Sequence, residues 1–196
     1  MFPRFGREFY LYLPNSITLA IGDLNPPLFY RNATLAIMYG GLGTLAGRQI
    51  VKALDETGVT VDAAGVRGPW LKPPAAAVHA EKSNCDVRTT TDSTQWRPLR
   101  LFPAVVGMEV AYRSFIAAVT RDYRSLEDLR VMHLEKFTDS QVFFLAFCYS
   151  QCSKRPQRKG DDCNVPVKNS PRFAEAFNCP SNTPMNPPEK CTFFEH

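Results

Sequence analysis

The chain has 196 residues, of which 44% are hydrophobic and 21% charged, a composition typical of globular proteins and not of disordered ones. This length suffices for one substantial core, so we expect a single domain over residues 1–196. The net charge is only +4, and the basic run 154–159 is typical of a solvated loop, which argues against nucleic-acid binding. No window offers the roughly 18 uncharged apolar residues of a membrane-spanning helix, and residues 1–10 lack the apolar core of a signal peptide.

Cysteine content indicates the compartment in which the chain folds. The sequence contains six cysteines, 16 prolines and one N-glycosylation sequon, Asn32-Ala33-Thr34, which together favour an oxidising, secretory environment. A zinc-knuckle pattern is missing, because there is no C-x-x-C motif and no histidine near the cysteines, so disulfides are the better interpretation. The missing export signal conflicts with this environment, and an N-terminal portion that precedes the chain would resolve the conflict.

The N-terminal half predicts two strands and a long helix. Residues 8–24 mix β-formers around a Pro-Asn-Ser turn, which predicts two strands. Apolar residues recur at helical spacing from Thr34 to Leu54, and Gly58 is a plausible stop. Four glycines within this stripe each cost about 1 kcal/mol relative to alanine, so they indicate either a closely packed neighbour or a loop over residues 39–43. These glycines are Gly40, Gly41, Gly43 and Gly47.

The C-terminal half predicts further helices separated by irregular segments. We predict helices over 75–85, over 104–123, from an N-cap at Asp139 through Phe147, and a short turn over 173–177. The helix over 104–123 has one strongly apolar face, formed by Val105, Met108, Ala111, Tyr112, Phe115 and Val119. The predicted fold class is therefore α+β, mainly helical, with a small N-terminal sheet.

Several strings resemble one known family in their order and spacing. Residues 179–191, C-P-S-N-T-P-M-N-P-P-E-K-C, resemble its C-terminal signature C-P-x-x-x-P-M-N-P-x-x-K-C. Residues 143–147, F-F-L-A-F, and 111–113, A-Y-R, resemble two of its helices. Residues 40–58 resemble its G-G-I-G-x-x-x-G-H-E-x-x-H-x-F-D-D-x-G segment. The chain is thus similar to the C-terminal part of the neprilysin/endothelin-converting-enzyme family of zinc metallopeptidases.

This resemblance implies a partial thermolysin-like (zincin) metallopeptidase domain located outside the cell or at its surface. The family's membrane anchor and most of its large N-terminal region have no match here. The chain is therefore interpreted as one neprilysin-like C-terminal domain, and the alternative that it is a fragment stays open.

The zinc site is where the sequence departs from the family. A peptidase of this type binds zinc through two histidines at i and i+4 of one helix and a glutamate of a second helix, and the glutamate of H-E-x-x-H polarises the metal-bound water. The resemblance aligns H-E-x-x-H with Arg48-Gln49-Ile50-Val51-Lys52. Counting back from the A-Y-R string, the third ligand falls on Arg100 and its supporting aspartate on Ala104.

These replacements predict the loss of metal and of activity. Arginine has no lone pair for a metal, and glutamine cannot accept a proton as a base. A unit positive charge about 5 Å from a divalent cation costs about 7 kcal/mol at an effective dielectric constant of about 20. We therefore expect no zinc, no other cofactor and no peptidase activity. The three histidines, His79, His133 and His196, are far apart in sequence, and we interpret the first two as incidental surface residues.

Two interpretations of the replaced site stay open. In the first, Arg48 and Lys52 lie on a solvated helix face, where Lys52 pairs with Glu56 at i+4. In the second, Arg48, Lys52 and Arg100 converge in the vestigial cleft and hold an anion or the carboxylate of a partner, with Glu109 neutralising part of the charge.

The leading functional hypothesis is a non-catalytic peptidase homologue that binds a peptide or a partner protein through the old cleft. The alternatives are an active zinc metalloendopeptidase, as the family would imply, and a truncated gene product without an independent role.

The resemblance also implies a disulfide framework. The family pairs the cysteines that match Cys85 and Cys191, and we expect that bridge here. The family partners of Cys152 and Cys179 belong to an N-terminal segment that has no match in this chain. We further hypothesise that the two remaining cysteines, at 148 and 163, pair with each other.

Overall fold

The computed structural model describes residues 9–83, 98–122, 131–152 and 161–193. The strands within these ranges are β1 (Phe9–Leu11) and β2 (Ser16–Thr18). The helices are α1 (Leu35–Met38), α2 (Thr44–Ile50), α3 (Pro73–Ser83), α4 (Pro98–Asp122), α5 (Asp139–Ser150), α6 (Asp161–Lys168) and α7 (Pro171–Ala176). The described fold is mainly helical with one small sheet, which confirms the predicted class.

The N-terminal sheet is a single antiparallel hairpin. Strand β1 pairs with β2 so that Tyr10 lies opposite Ile17. The four-residue connection contains Asn15, whose φ of 47° lies in the left-handed region that asparagine tolerates. The predicted pair of strands is confirmed, although each strand is much shorter than the range 8–24 suggested.

Residues 35–54 form one continuous helical segment with three backbone geometries. Helix α1 passes into a π-helical turn over Tyr39–Gly43, which passes into α2 and then into a 3-10 turn over Val51–Leu54. Residues 39–43 are thus helical, so the alternative of a loop is wrong. A π turn is a common distortion near functional sites because it shifts the register of the side chains that follow it.

Three of the four glycines in this segment touch a neighbouring backbone. A Cβ atom at Gly40 would collide with the α5 backbone, and one at Gly41 with the carbonyl oxygen of Leu28. A Cβ atom at Gly47 would lie 2.5 Å from the carbonyl oxygen of Gly107 in α4. The predicted close-packed neighbour is therefore confirmed at these three positions, whereas the fourth glycine has ordinary contacts within its own helix.

Helix α4 is the centre of the core. Of the six apolar positions predicted for its buried face, five are buried and Val119 is half-buried. The five from Met108 onward pack against α1 and α5, where Phe143 stacks on Phe115 with ring centroids 5.7 Å apart. A second cluster joins the N-terminal part of α4 to the C-terminal tail, where Phe102 meets Phe193 edge to face at 4.9 Å.

By length and composition alone, the part of α4 from Leu101 to Arg121 is apolar enough to cross a membrane, with a mean hydropathy of 1.3. However, 61% of this stretch is buried inside the domain. Core helices of water-soluble domains pass the same test, so this single helix is weak evidence for a span.

The N-cap residue of helix α5 lies one position before the predicted one. The N-cap is Thr138 and not Asp139, because the Thr138 hydroxyl accepts the Gln141 backbone N–H at 3.3 Å. The Gln141 side chain accepts the Thr138 backbone N–H in return at 3.0 Å. This reciprocal pair is a capping box, which satisfies two backbone donors at once.

The cysteines separate into bonded and free groups. Cys148 at the end of α5 forms a disulfide with Cys163 in α6, with Cα atoms 4.9 Å apart, so the hypothesised pair is confirmed. Cys152 and Cys179 are free thiols. Cys191 is disulfide-bonded, but Cys85 lies outside the described residues, so the pairing of Cys85 with Cys191 stays a prediction.

Candidate functional site

The replaced zinc site lies where α2 crosses α4. The two helices touch through backbone atoms, because a Cβ atom at Gly107 would lie 2.5 Å from the backbone nitrogen of Arg48. Ala104, one turn earlier in α4, is buried at 3% exposure. The Arg48 backbone therefore lies against α4 about one turn from Ala104.

Gln49 and Lys52 form the best-defined contact of this site. The Gln49 side chain is 2% exposed. Its Oε1 atom accepts a hydrogen bond of 2.7 Å from Nζ of Lys52. The amine at the second histidine position thus donates a proton toward the residue at the general-base position. An amine engaged as a donor in this way offers no lone pair to a metal.

Arg48 and Lys52 are both half-buried, and the Nε atom of Arg48 is buried. Both side chains are therefore partly exposed to solvent, and the two interpretations of these positions stay predictions. The described ion pairs contain none between Lys52 and Glu56, since the contact described for the Lys52 amine is Gln49. The Arg100 side chain lies outside the described part of the chain, so its convergence with Arg48 and Lys52 stays a prediction.

Glu109 is held on another face of α4. Its Oε1 atom accepts a hydrogen bond of 2.6 Å from the Ser170 hydroxyl, and its Oε2 atom lies 3.6 Å from Nε of Arg172. Arg172 also lies over the Tyr112 ring, 5.6 Å from its centroid. The described partners of Glu109 are thus Ser170 and Arg172, and its neutralisation of part of the Arg48 and Lys52 charge stays a prediction.

A pocket of about 620 Å³ opens beside Glu109, with Val106 and Val110 on one wall and Phe193 on another. Sequence reasoning missed it. The only signal in the sequence was Glu109, an isolated carboxylate between apolar residues of α4. The sequence does not show that Ser170 and Arg172, at the start of α7, would approach this carboxylate.

The two described histidines have different roles. His79 in α3 is half-buried, its Nε2 atom lies 2.6 Å from the carbonyl oxygen of Leu54, and its ring meets Phe102 edge to face. His79 therefore ties α3 to the segment after α2, and its interpretation as an incidental surface residue is wrong. His133 is exposed, as expected. Among the residues that the structure describes, no three His, Cys, Asp or Glu side chains group as metal ligands.

The donor set at this site does not fit zinc. Zinc requires neutral imidazole, thiolate or carboxylate ligands, whereas Arg48 and Lys52 contribute cationic groups and Gln49 an amide that is already hydrogen-bonded. The Coulomb repulsion of about 7 kcal/mol for each cation at roughly 5 Å is a large fraction of the 10–16 kcal/mol typical of structural zinc binding.

The model of Peptidase family M13 matches residues 8–193. The chain belongs to this family. The M13 assignment confirms the resemblance inferred from the sequence strings, and it places the chain among metallopeptidase relatives.

Curated relatives match this M13 chain along nearly all of its length. Neprilysin-1 of Caenorhabditis elegans is 28% identical over 204 residues, which cover 93% of the chain and 27% of the relative. Endothelin-converting enzyme 1 of Homo sapiens is 28% identical over 214 residues, covering 97% of the chain and 27% of the relative. The M13 chain thus spans about a quarter of the length of these relatives.

Solved structures share its fold. The Haemonchus galactose-containing glycoprotein complex superimposes with a TM-score of 0.83 at 23% identity, over 95% of this chain and 35% of that one. PEPO from Lactobacillus rhamnosis gives a TM-score of 0.69 at 23% identity, over 91% of this chain and 29% of that one. At such identities the likeness concerns the fold alone, and it agrees with a partial M13 peptidase domain.

Proposed function

We propose that this M13 chain is a non-catalytic homologue that binds a peptide or a partner protein through the face of α2 that carries Arg48 and Lys52. The observation that carries this proposal is the hydrogen bond from the Lys52 amine to Gln49, because it occupies both the second ligand position and the general-base position. Cationic and amide groups at these positions supply neither zinc ligands nor a general base, and groups of this kind bind carboxylates through charge-assisted hydrogen bonds.

The same proposal includes an extracellular or cell-surface location. The disulfide between Cys148 and Cys163 supports it, because disulfides persist in oxidising compartments. The similarity to endothelin-converting enzyme 1 of Homo sapiens, at 28% identity, also supports it, because the family resemblance implies a location outside the cell or at its surface.

Peptide binding is tested with two labelled peptides of one sequence, one with a free C-terminal carboxylate and one amidated. Fluorescence anisotropy should show tighter binding of the carboxylate form. Arg48→Gln or Lys52→Gln should weaken that binding about tenfold, the effect of losing one charge-assisted hydrogen bond. Lys72→Gln, at an exposed position before α3, is the matched control and should leave it unchanged. Equal binding of both peptides by all variants would contradict the proposal.

An active zinc metallopeptidase is the second candidate, since family membership favours it. A quenched fluorescent peptide separates the two. The proposal predicts that the chain does not hydrolyse the peptide, with or without added zinc, so that a chelator has no effect. Chelator-sensitive turnover by the unmodified chain would establish the second candidate instead.

A further inference from the structure

An apolar surface groove lies away from the α2–α4 crossing. It is a groove of about 1200 Å³ between the loop 24–33 and the outer face of α5, hereafter the loop–α5 groove. Leu24 is 51% exposed on one wall and Tyr149 59% exposed on the other. Among the described residues that line it, Arg31 alone is charged. An apolar groove of this size on a surface calls for an occupant.

The sequence places a glycosylation signal on the wall of this groove. Asn32 lines the groove, is exposed, and lies in a turn closed by the hydrogen bond from the Ala33 N–H to the carbonyl oxygen of Tyr30. Residues 32–34 read Asn-Ala-Thr, which is an acceptor sequon. An attached glycan would therefore begin at the groove rather than somewhere else on the surface.

We propose that Asn32 carries an N-linked glycan whose first sugars lie over the loop–α5 groove and cover its apolar wall. In the transfer, the Asn32 side-chain nitrogen bonds to the anomeric carbon of a lipid-linked oligosaccharide, the lipid pyrophosphate leaves, and the nitrogen loses one proton. Sugar rings present C–H faces that pack on aromatic rings, and Tyr30 and Tyr149 supply such rings on opposite walls. The glycan also keeps this apolar surface soluble.

The local structure fixes when the transfer occurs. Thr34, the third residue of the sequon, is the N-cap residue of α1, and its hydroxyl is buried without a hydrogen bond. A transferase that needs this hydroxyl cannot reach it in the folded chain. The sugar is therefore added before α1 packs, during passage through the secretory pathway. This inference rests on the extracellular location proposed above and is independent of peptide binding at Arg48 and Lys52.

The test begins with the full chain secreted from a eukaryotic host behind a cleavable leader. Its mass should exceed the sequence mass by one glycan, and a peptide amidase should remove the excess. Asn32→Gln should abolish the glycan, whereas Thr34→Ser, which keeps the hydroxyl and the sequon, should retain it. An unmodified asparagine in the secreted chain overturns the inference, even if peptide binding is intact.

Hydroxyl-radical footprinting then locates the glycan. Oxidation of Tyr149 and Leu145 should be several-fold lower in the glycosylated chain than in Asn32→Gln, and it should rise when the glycan is trimmed enzymatically. Trp70, which is 42% exposed and lies outside the groove, is the internal control and should oxidise equally in all forms. A glycosylated chain with unprotected Tyr149 and Leu145 overturns the placement over the groove.

Discussion

At the scale of single residues, the contact between α2 and α4 depends on two glycines, whose side chains are single hydrogen atoms. Gly47 and Gly107 let the helices meet through their backbones, and this contact sets where Arg48 lies. Gly47→Ala should lower the free energy of unfolding by about 1–3 kcal/mol, because the added methyl group would lie 2.5 Å from a carbonyl oxygen and the helices must separate. Urea unfolding followed by circular dichroism measures this change.

The matched control is Gly43→Ala. Its Cβ atom would meet only atoms of its own helix, with the nearest at 3.4 Å from the side chain of Tyr39, and its φ of −60° suits any residue. This variant should be neutral, or more stable by up to about 1 kcal/mol through helix propensity. Equal losses at Gly43 and Gly47 would show that the α2–α4 contact is not the cause.

A second residue-scale effect concerns Tyr12. Its phenol donates a hydrogen bond of 2.7 Å to Oδ2 of Asp55. Burial, and then this hydrogen bond to the carboxylate, raise the pKa of Tyr12 well above its ordinary value of 10.0. A pKa raised by folding contributes stability that is fully present below about pH 10 and is lost as the pH rises through the folded value.

The free energy of unfolding should therefore fall above about pH 10, where the unfolded phenol ionises first. Tyr12→Phe should cost about 1 kcal/mol at neutral pH and make this alkaline fall shallower. Tyr149→Phe, at a ring that is 59% exposed, is the control. Unchanged alkaline behaviour in Tyr12→Phe would show that another group governs it.

At the scale of elements, the sequence predicted those that depend on periodic apolar residues. The buried face of α4 was predicted correctly because its apolar positions repeat over many turns. The C-terminal helix α6 was missed, since Pro166 lies inside it and its first turn is polar. The π turn at residues 39–43 was missed as well, because its cause is the approach of other backbones to Gly40 and Gly41, which a local pattern does not contain.

The candidate site divides in the same way. The aligned motifs predicted Arg48, Gln49 and Lys52 on one helix and Arg100 and Ala104 on a second, because motif spacing follows from backbone geometry. The direction of each side chain was not predictable. Lys52 donates to the buried Gln49 amide three residues before it, a contact that the i+4 spacing to Glu56 did not predict.

The bridge between α5 and α6 gives an element-scale prediction. The disulfide of Cys148 and Cys163 closes a loop with a sequence separation of 15, which corresponds to about 3 kcal/mol of chain entropy. Replacing both cysteines by serine should lower the free energy of unfolding by about that amount in urea. Cys152→Ser, at an exposed free thiol, is the control and should change it by less than about 0.5 kcal/mol.

Serine replacements at 148 and 163 that leave the midpoint of unfolding unchanged would contradict this element-scale account. So would a loss of similar size in Cys152→Ser, because it would assign the stabilising bond to that thiol.

At the scale of the whole molecule, the chain keeps an M13 fold, while the positions aligned with the zinc motif carry other residues. The glycine contacts bring α2 and α4 together at the backbone, and the family model matches residues 8–193. At positions 48, 49 and 52 of α2, the side chains are cationic or amide groups. These positions do not offer the imidazole or carboxylate ligands that zinc requires, and this is the basis of the proposed binding role.

The most direct measurement of this account is the zinc content of the purified chain after incubation with excess zinc and exhaustive dialysis. A matched variant, in which positions 48, 49, 52, 100 and 104 carry the residues of the family motif, is the positive control. The account predicts that the unmodified chain retains no more zinc than a protein that binds no metal, and that the variant gains zinc. One tightly held zinc ion per unmodified chain, lost on Lys52→Ala, would contradict it.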